Sequence, residues 1–182
     1  MTKTLQKNLE TSLDYILGNF LKDEMIAYMH SHPDRFDELI ELAIADRQPH
    51  SARAAWLLSH CTGENDARVK KNIPRIINII PNVSDGQKRD LINVLRKMEI
   101  EEEHEGLLFD ICVKIWSNIN KIPSVRVIAF RLIIEIAHRH KELNSEITLL
   151  TQDFYLEPLS RGIKSSVKRL IKRFEKESLG EG

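Results

Sequence analysis

Cationic side chains recur at a regular interval along the chain and, with one tryptophan, have the chemistry of an anion-binding surface. Arg89, Arg126 and Lys164 are spaced 37 and 38 residues apart. Lysine and arginine bind carboxylates and phosphates through charge-assisted hydrogen bonds, which suits an extended anionic partner. The predicted partner-binding residues are Arg53, Trp56, His60, Arg89, Lys97, Arg126, Arg131, Lys164, Lys168 and Lys172. The alternative is an ordinary solvating surface, because a terminal helix also needs a polar outer face.

Other reactive residue types do not form a recognisable catalytic or metal-binding pattern. His138 and His140 lie two residues apart and diverge by about 200° on a helix, so they cannot chelate one ion there. Cys61 follows His60 directly, and adjacent helical residues face different ways. The acidic run 101–105 begins a predicted helix, where carboxylates complement the helix dipole. We therefore predict no cofactor, no metal and no catalytic residue; a non-enzymatic chain is the favoured interpretation, and an enzyme stays open as the alternative.

Composition and length limit the class of protein. The 182 residues carry 27 basic and 27 acidic side chains, so the net charge does not attract nucleic acid or anionic lipid. Cys61 and Cys112 lie in helical patterns and indicate a reducing compartment. Neither a secretory signal nor a membrane-spanning run is recognisable. These features predict a single soluble, cytoplasmic domain over residues 1–182 without a membrane partner, of unspecified oligomeric state.

The elements that position the cations are predicted to be helices. The stretch 124–140 has apolar residues on two adjacent helical faces, so neighbouring helices must cover it on two sides. Alternating strand patterns are almost absent. The remaining predicted helices cover residues 4–20, 23–29, 34–46, 51–62, 66–80 (kinked or divided at Pro74), 84–97, 101–120, 144–156 and 161–176.

A repeated signal separates these helices. Four times a helix runs into a proline, and a serine then precedes the next helix; the pairs are Pro49/Ser51, Pro81/Ser84, Pro123/Ser124 and Pro158/Ser160. Proline cannot continue a helix, and a serine hydroxyl can cap the following one. Ser84 with Gln87 also has the spacing of a capping box. One leucine position marks the period, at Leu58, Leu95, Leu132 and Leu170. About four helix pairs of this period predict a helical solenoid.

The pattern resembles the HEAT/armadillo type of helical repeat. The likeness consists of the Ser-x-Arg opening of the second helices, the small residues Ala55 and Ala129, and the prolines between paired helices. It implies an all-α, right-handed α-α superhelix. Residues 1–32 would form an N-terminal cap, 34–177 the repeats and 178–182 a frayed tail.

Charge separates between the two helices of each pair. The formal charges of the first helices of the four pairs sum to −9, and those of the second helices sum to +11. In HEAT-type superhelices the second helices line the concave side, so the resemblance implies a basic concave face. We expect a protein-interaction or scaffold module that binds an extended acidic partner there. The alternative is a DNA-binding protein or glycosylase resembling HEAT-like DNA alkylation repair enzymes, in which Trp56 would stack on a base and Asp90 or Glu135 would stabilise a cation.

Overall fold

The computed structural model describes residues 12–178, and this part of the chain forms helices and short 3₁₀ turns without a strand. The predicted all-α class is confirmed. The chain divides into two compact units, residues 1–100 and 101–182, which we call the first and second units. The single-domain boundaries, the right-handed superhelix and the N-terminal cap stay predictions. Residues 4–11 of the first predicted helix and residues 179–182 of the predicted tail lie outside the described residues.

The first unit is built around one central helix. Its described helices are α1 (Leu13–Asn19), α2 (Lys22–Ser31), α3 (Phe36–Ile44), α4 (His50–Cys61), α5 (Ala67–Lys70), α6 (Ile73–Ile79) and α7 (Asp85–Leu95). Helix α4 packs against α1, α2, α3 and α7. Ala54 and Ala55 on α4 are fully buried, and their small side chains allow these neighbours to approach closely. The predicted division of residues 66–80 is confirmed, with Pro74 in the first turn of α6.

The second unit is organised around the apolar stretch noted in the sequence. Its described helices are α8 (Glu102–Ser117), α9 (Pro123–Ala137), α10 (Asn144–Leu150), α11 (Asp153–Leu156) and α12 (Arg161–Ser178). Helix α9 packs against α8 and also contacts α10 and α12, which confirms that neighbours cover more than one face. The single helix predicted over 144–156 is wrong, because the chain breaks at Thr151 and Gln152 between α10 and α11.

The leucines that mark the repeat are not equally buried. Leu58, Leu95 and Leu132 lie in the core of their own units, whereas Leu170 is only half-buried. Helix α12 instead buries Val167, Ile171 and Phe174. The inward face of the last helix is therefore displaced from the position that the leucine period predicts.

Only part of the predicted serine capping is present. The Ser84 hydroxyl accepts a hydrogen bond from the Gln87 amide at 3.4 Å and caps α7. Ser124 is not a cap, because α9 begins one residue earlier at Pro123, whose fixed φ suits a first helical position. Ser51 lies inside α4 and its hydroxyl accepts from the Arg47 amide at 2.9 Å.

The second half of the predicted capping box is also wrong. Gln87 is fully buried and its Nε2 donates to the carbonyl oxygens of Ala43 at 2.8 Å and Ala45 at 3.2 Å, at the end of α3. The last carbonyls of a helix have no partner within that helix. The Gln87 side chain of α7 therefore donates the hydrogen bonds that these carbonyl groups at the end of α3 lack.

The different roles of Ser84, which caps α7, and Ser124, which does not cap α9, can be measured. We expect Ser84→Ala to lower the free energy of unfolding by about 1 kcal/mol, because the amides at the start of α7 lose their acceptor. Ser124→Ala is the matched control and should change it by less than about 0.5 kcal/mol. Urea unfolding of both variants tests this, and equal losses would contradict the assignment.

Candidate functional site

A cleft of about 300 Å³ in the first unit brings several of the predicted binding residues together. Arg53 and Trp56 reach it from α4, and Arg89 and Asp90 reach it from α7. Lys22, the first residue of α2, completes the charged lining. Three cations from three helices, one indole ring and one carboxylate therefore line the same cleft. The rest of the lining is Met25, Pro49, Ala52 and Gly86.

Arg53 is held in place by backbone carbonyls. Its Nη1 donates to the Gly18 oxygen at 3.2 Å and its Nη2 to the Phe20 oxygen at 2.7 Å, where α1 ends. The terminal carbonyls of a helix carry partial negative charge and attract a cation. These partners are formally neutral, so the contacts orient the guanidinium while its full positive charge remains beside the cleft.

Arg89 is oriented by its neighbour in the sequence. Its Nε and Nη2 donate to the two carboxylate oxygens of Asp90 at 2.9 and 2.8 Å. The hydrogen bonds that Arg89 donates to Asp90 raise the pKa of the Arg89 guanidinium. The Asp90 side chain is only 6 % exposed, whereas that of Arg89 is 37 % exposed. The arginine therefore presents the more accessible charge of the pair.

Trp56 has polar neighbours near its ring. The His60 ring lies 4.1 Å from it between centroids, and the Lys22 ammonium lies 5.0 Å from the ring centre. The Nδ1 of His60 also lies 2.8 Å from the Trp56 carbonyl oxygen. An ammonium at this distance is attracted to the indole face. His60 is therefore close to the cleft through its contact with Trp56.

Lys97 has a structural role outside this cleft. Its Nζ donates to the carbonyl oxygens of Ser59 at 2.7 Å and Thr62 at 2.9 Å, where α4 ends. Like Arg53, it satisfies the terminal carbonyls of a helix from an earlier pair. The positive charge of Lys97 thus has a structural role at the end of α4, and its role in partner binding stays a prediction.

Arg126 corrects the sequence-based assignment most clearly. It is 1 % exposed, so it cannot serve as a surface residue that binds a partner. Its Nε donates to the Trp116 oxygen at 3.0 Å and its Nη2 to the Tyr155 oxygen at 2.7 Å, near the ends of α8 and α11. The guanidinium also lies 4.8 Å from the centre of the Trp116 ring. Burial lowers the pKa of Arg126.

The remaining predicted residues lie in the second unit. Arg131 is exposed on α9, Lys164 is half-buried on α12, and Lys168 and Lys172 are exposed on α12. The structure thus joins Arg53, Trp56 and Arg89 in one cleft, with His60 against Trp56. Arg126 belongs to the core, and the other cations do not line that cleft.

The second unit contains a buried acidic residue within the run 101–105, whose carboxylates were predicted only to complement the helix dipole. Glu105 is 5 % exposed. One of its carboxylate oxygens accepts from Nε of Arg139 at 2.9 Å, and the other lies 2.6 Å from Nε2 of His140. Burial would raise the pKa of Glu105, but hydrogen bonds from His140 and Arg139 outweigh burial and lower it. The same contact raises the pKa of His140.

A cavity of about 370 Å³ adjoins this ion pair. Its charged and titratable lining consists of Glu102, Glu105, Asp110, His140, Glu142 and Glu146. Its apolar lining includes Phe109 and Ile136. The acidic lining complements cations rather than anions, in contrast to the cleft of the first unit.

Two of the residues that line these cavities, Lys22 and Glu105, were not predicted from the sequence, and each had a signal. Lys22 opens α2, where a lysine opposes the helix dipole, so it is out of place for a purely structural role. Glu105 shares its helical face with Leu108, Phe109 and Cys112, which are all buried. A carboxylate on an apolar face indicates a buried ion pair rather than a solvated one.

In the part of the chain that the structure describes, candidate metal ligands and nucleophiles do not add a further site. Glu101, Glu103 and His104 bring possible ligand atoms within 4.8 Å of one another, at the start of α8. Carboxylates there complement the helix dipole. Burial raises the pKa of both Cys61 and Cys112, so both remain thiols near neutral pH.

Comparisons with known proteins identify the family. Across residues 12–178, none of the helices combines the length and apolar character that crossing a bilayer requires. Searches of curated proteins and of solved structures find no significant match. A family model described as the HEAT repeat domain matches residues 9–174, which is most of the chain. The predicted HEAT-type repeat is therefore confirmed, and the chain belongs to the HEAT repeat domain family.

Proposed function

We propose that this chain is a non-enzymatic protein-interaction module that binds an acidic segment of a partner protein in the cleft around Trp56. Membership of the HEAT repeat domain family supports a role as a protein-interaction scaffold. The observation that carries the more specific proposal is the position of Arg53, which lines the cleft with Trp56 and has no carboxylate partner among residues 12–178.

The contacts of Arg53 also favour binding energetically. Association usually costs about 0.5–1.5 kcal/mol for each flexible side chain that it immobilises. The carbonyls of Gly18 and Phe20 already hold this guanidinium, so most of that cost is absent. A guanidinium has five N–H donors, and these two contacts leave others for an incoming carboxylate.

The DNA-repair alternative has one observation in its favour. Trp56 and Asp90 line the same cleft, which would allow a base to stack near a carboxylate. Both oxygens of Asp90, however, accept hydrogen bonds from Arg89. A carboxylate that is neutralised in this way stabilises a developing cation poorly, so we prefer the acidic protein segment.

Charge reversal at Lys22 tests the proposal. We expect Lys22→Glu to weaken binding of a fluorescein-labelled peptide of alternating glutamate and serine by at least about tenfold, or about 1.4 kcal/mol. The substitution removes an attractive charge and adds a repulsive one. Glutamate also suits the first turn of α2, so the fold should be retained. Fluorescence anisotropy at low and physiological salt measures the affinity.

Lys70→Glu is the matched control, because Lys70 is exposed in the same unit and does not line the cleft. It should change the affinity by less than about twofold at physiological salt, where distant surface charges are largely screened. Equal effects of the two reversals would contradict the proposed cleft. Binding of duplex DNA that weakens as salt rises but is still measurable at physiological salt, without peptide binding, would favour the alternative.

A further inference from the structure

The net positive charge of the cleft lining in the first unit is larger than the single negative charge of a carboxylate ligand. Among the lining residues that the structure describes, Lys22, Arg53 and Arg89 contribute three positive charges and Asp90 one negative charge, which leaves an excess of two. One aspartate or glutamate of a partner would neutralise half of this excess. A phosphate monoester carries about 1.5 to 2 negative charges near neutral pH and would neutralise nearly all of it.

The arrangement of donors agrees with this charge balance. The three cations come from α2, α4 and α7, so three separate helices supply the donors of one cleft. Two of them are pre-oriented, Arg53 by helix-end carbonyls and Arg89 by the Asp90 carboxylate. A phosphate group has three terminal oxygens, which can accept from three such donors at once. A carboxylate has only two oxygens.

The cleft also has space for the group and a low-polarity wall beside it. The cleft has a volume of about 300 Å³, and Met25, Pro49 and Ala52 form part of its lining. Apolar walls weaken solvent screening and strengthen attraction between the cations and an anion. Gly86 adds open space, because a Cβ there would meet no atom within 4 Å.

From the excess charge, the converging donors and the open space, we propose that the cleft around Trp56 is a receptor for a phosphorylated side chain of the partner protein. This inference rests on the proposed function and specifies the chemistry of its ligand. Phosphorylation of the partner would then strengthen the interaction, because a phosphoserine offers the three cations a charge that an unphosphorylated serine lacks.

Three matched peptides test the inference on the full chain. They share the alternating glutamate and serine sequence and differ only at a central position, which is serine, glutamate or phosphoserine. Isothermal titration calorimetry at physiological salt should give an affinity for the phosphoserine peptide about tenfold above that for the glutamate peptide. Lys22→Gln removes one unit of charge from the cleft and should reduce this preference to threefold or less.

Substitutions at Gly86 locate the binding. Gly86→Leu fills the cleft and should abolish the phosphoserine preference, whereas Gly162→Leu adds the same side chain in open space on α12, away from the cleft lining, and should keep it. Leucine is a better helix former than glycine, so α7 and α12 are retained. Circular dichroism checks the fold of each variant.

The outcomes separate the inference from the proposed function. Equal affinity for the glutamate and phosphoserine peptides overturns the phosphate inference and leaves an acidic-segment module. Absence of binding to all three peptides overturns the proposed function itself. A preference that survives Gly86→Leu, or tighter binding of a single-stranded oligonucleotide than of the phosphopeptide at the same salt, also overturns the inference.

Discussion

Replacing Arg126 with alanine is expected to lower the free energy of unfolding of the second unit by about 4 kcal/mol. The substitution removes hydrogen bonds to the carbonyl oxygens of Trp116 and Tyr155 inside the core. A buried polar group that loses its partner costs about 1–3 kcal/mol. The side chain also fills space against Trp116, and its loss leaves a cavity.

Fluorescence can report on this unit directly. The chain has two tryptophans, so Trp116 is the remaining one in a Trp56→Phe background. Trp116 packs on Phe130 with ring centroids 4.4 Å apart, and its emission should change when this packing is lost. Urea titration of the Trp56→Phe chain with and without the Arg126 substitution then gives the difference in unfolding free energy.

Two further variants separate the contributions of Arg126. Arg126→Met keeps most of the apolar volume but removes the donors, so we expect about 2 kcal/mol of loss. Arg131→Ala is a matched control on the same helix, because Arg131 is exposed, and its effect should stay within about 0.5 kcal/mol. A loss below about 1 kcal/mol for Arg126→Ala would refute its core role.

Replacing Glu105 with glutamine is expected to cost about 2–3 kcal/mol near pH 6, and less at higher pH. Removing one partner of a buried ion pair leaves the others uncompensated. The exposed fraction of the Arg139 side chain is 51 %, so solvent screens that share of the interaction and we place the loss below the full range for buried pairs. His140 contributes the share that depends on pH.

The direction of the pH dependence follows from the two pKa shifts. The pKa of His140 is raised in the folded state, so its contribution is complete below the unfolded value of about 6.5 and is lost as pH rises through the folded pKa. The pKa of Glu105 is lowered, so its contribution is present above the unfolded value of about 4.3 and is lost as pH falls through the folded pKa. Both stabilising contributions are therefore present between the two unfolded pKa values, from about pH 4.3 to about pH 6.5.

The measurement is the stability difference between the unsubstituted chain and Glu105→Gln from pH 4 to 8. Glu103→Gln is the control, because Glu103 is exposed on the same helix and should produce only a small difference across this range. A difference that keeps growing between pH 6 and pH 8 would show that His140 does not contribute in the way described.

Much of the local structure was predictable because its causes lie close together in the sequence. The double apolar face of residues 124–140 predicted a covered helix, and α9 buries Ala129, Phe130 and Ile133 completely. The capping hydroxyl of Ser84 was also found, because its partner is only three residues away. Ser124 was misplaced as a cap because Pro123 can open a helix as well as end one.

The sequence predicted the residue types of the candidate site, but it did not predict which of the cations line the cleft. Arg53, Arg89 and Arg126 are all cations at nearly the same repeat position, and the sequence treats them alike. In the structure Arg53 and Arg89 line a cleft, whereas Arg126 is buried against carbonyls of α8 and α11. Burial depends on the helices that pack above a residue, and a repeat period carries no information about them.

The amino-acid order alone was enough for the all-helical class, the HEAT-type repeat and most helix positions, because apolar periodicity and proline act over a few residues. The assignment of each cation to a cleft, a helix end or the core came only from the packed molecule. Arg53 reaches Gly18, Lys97 reaches Ser59 and Arg139 reaches Glu105, over separations of 35, 38 and 34 residues. Free helix-end carbonyls attract a cation as acidic ligands do, so only the proximity of chain segments decides which of the two a given side chain binds.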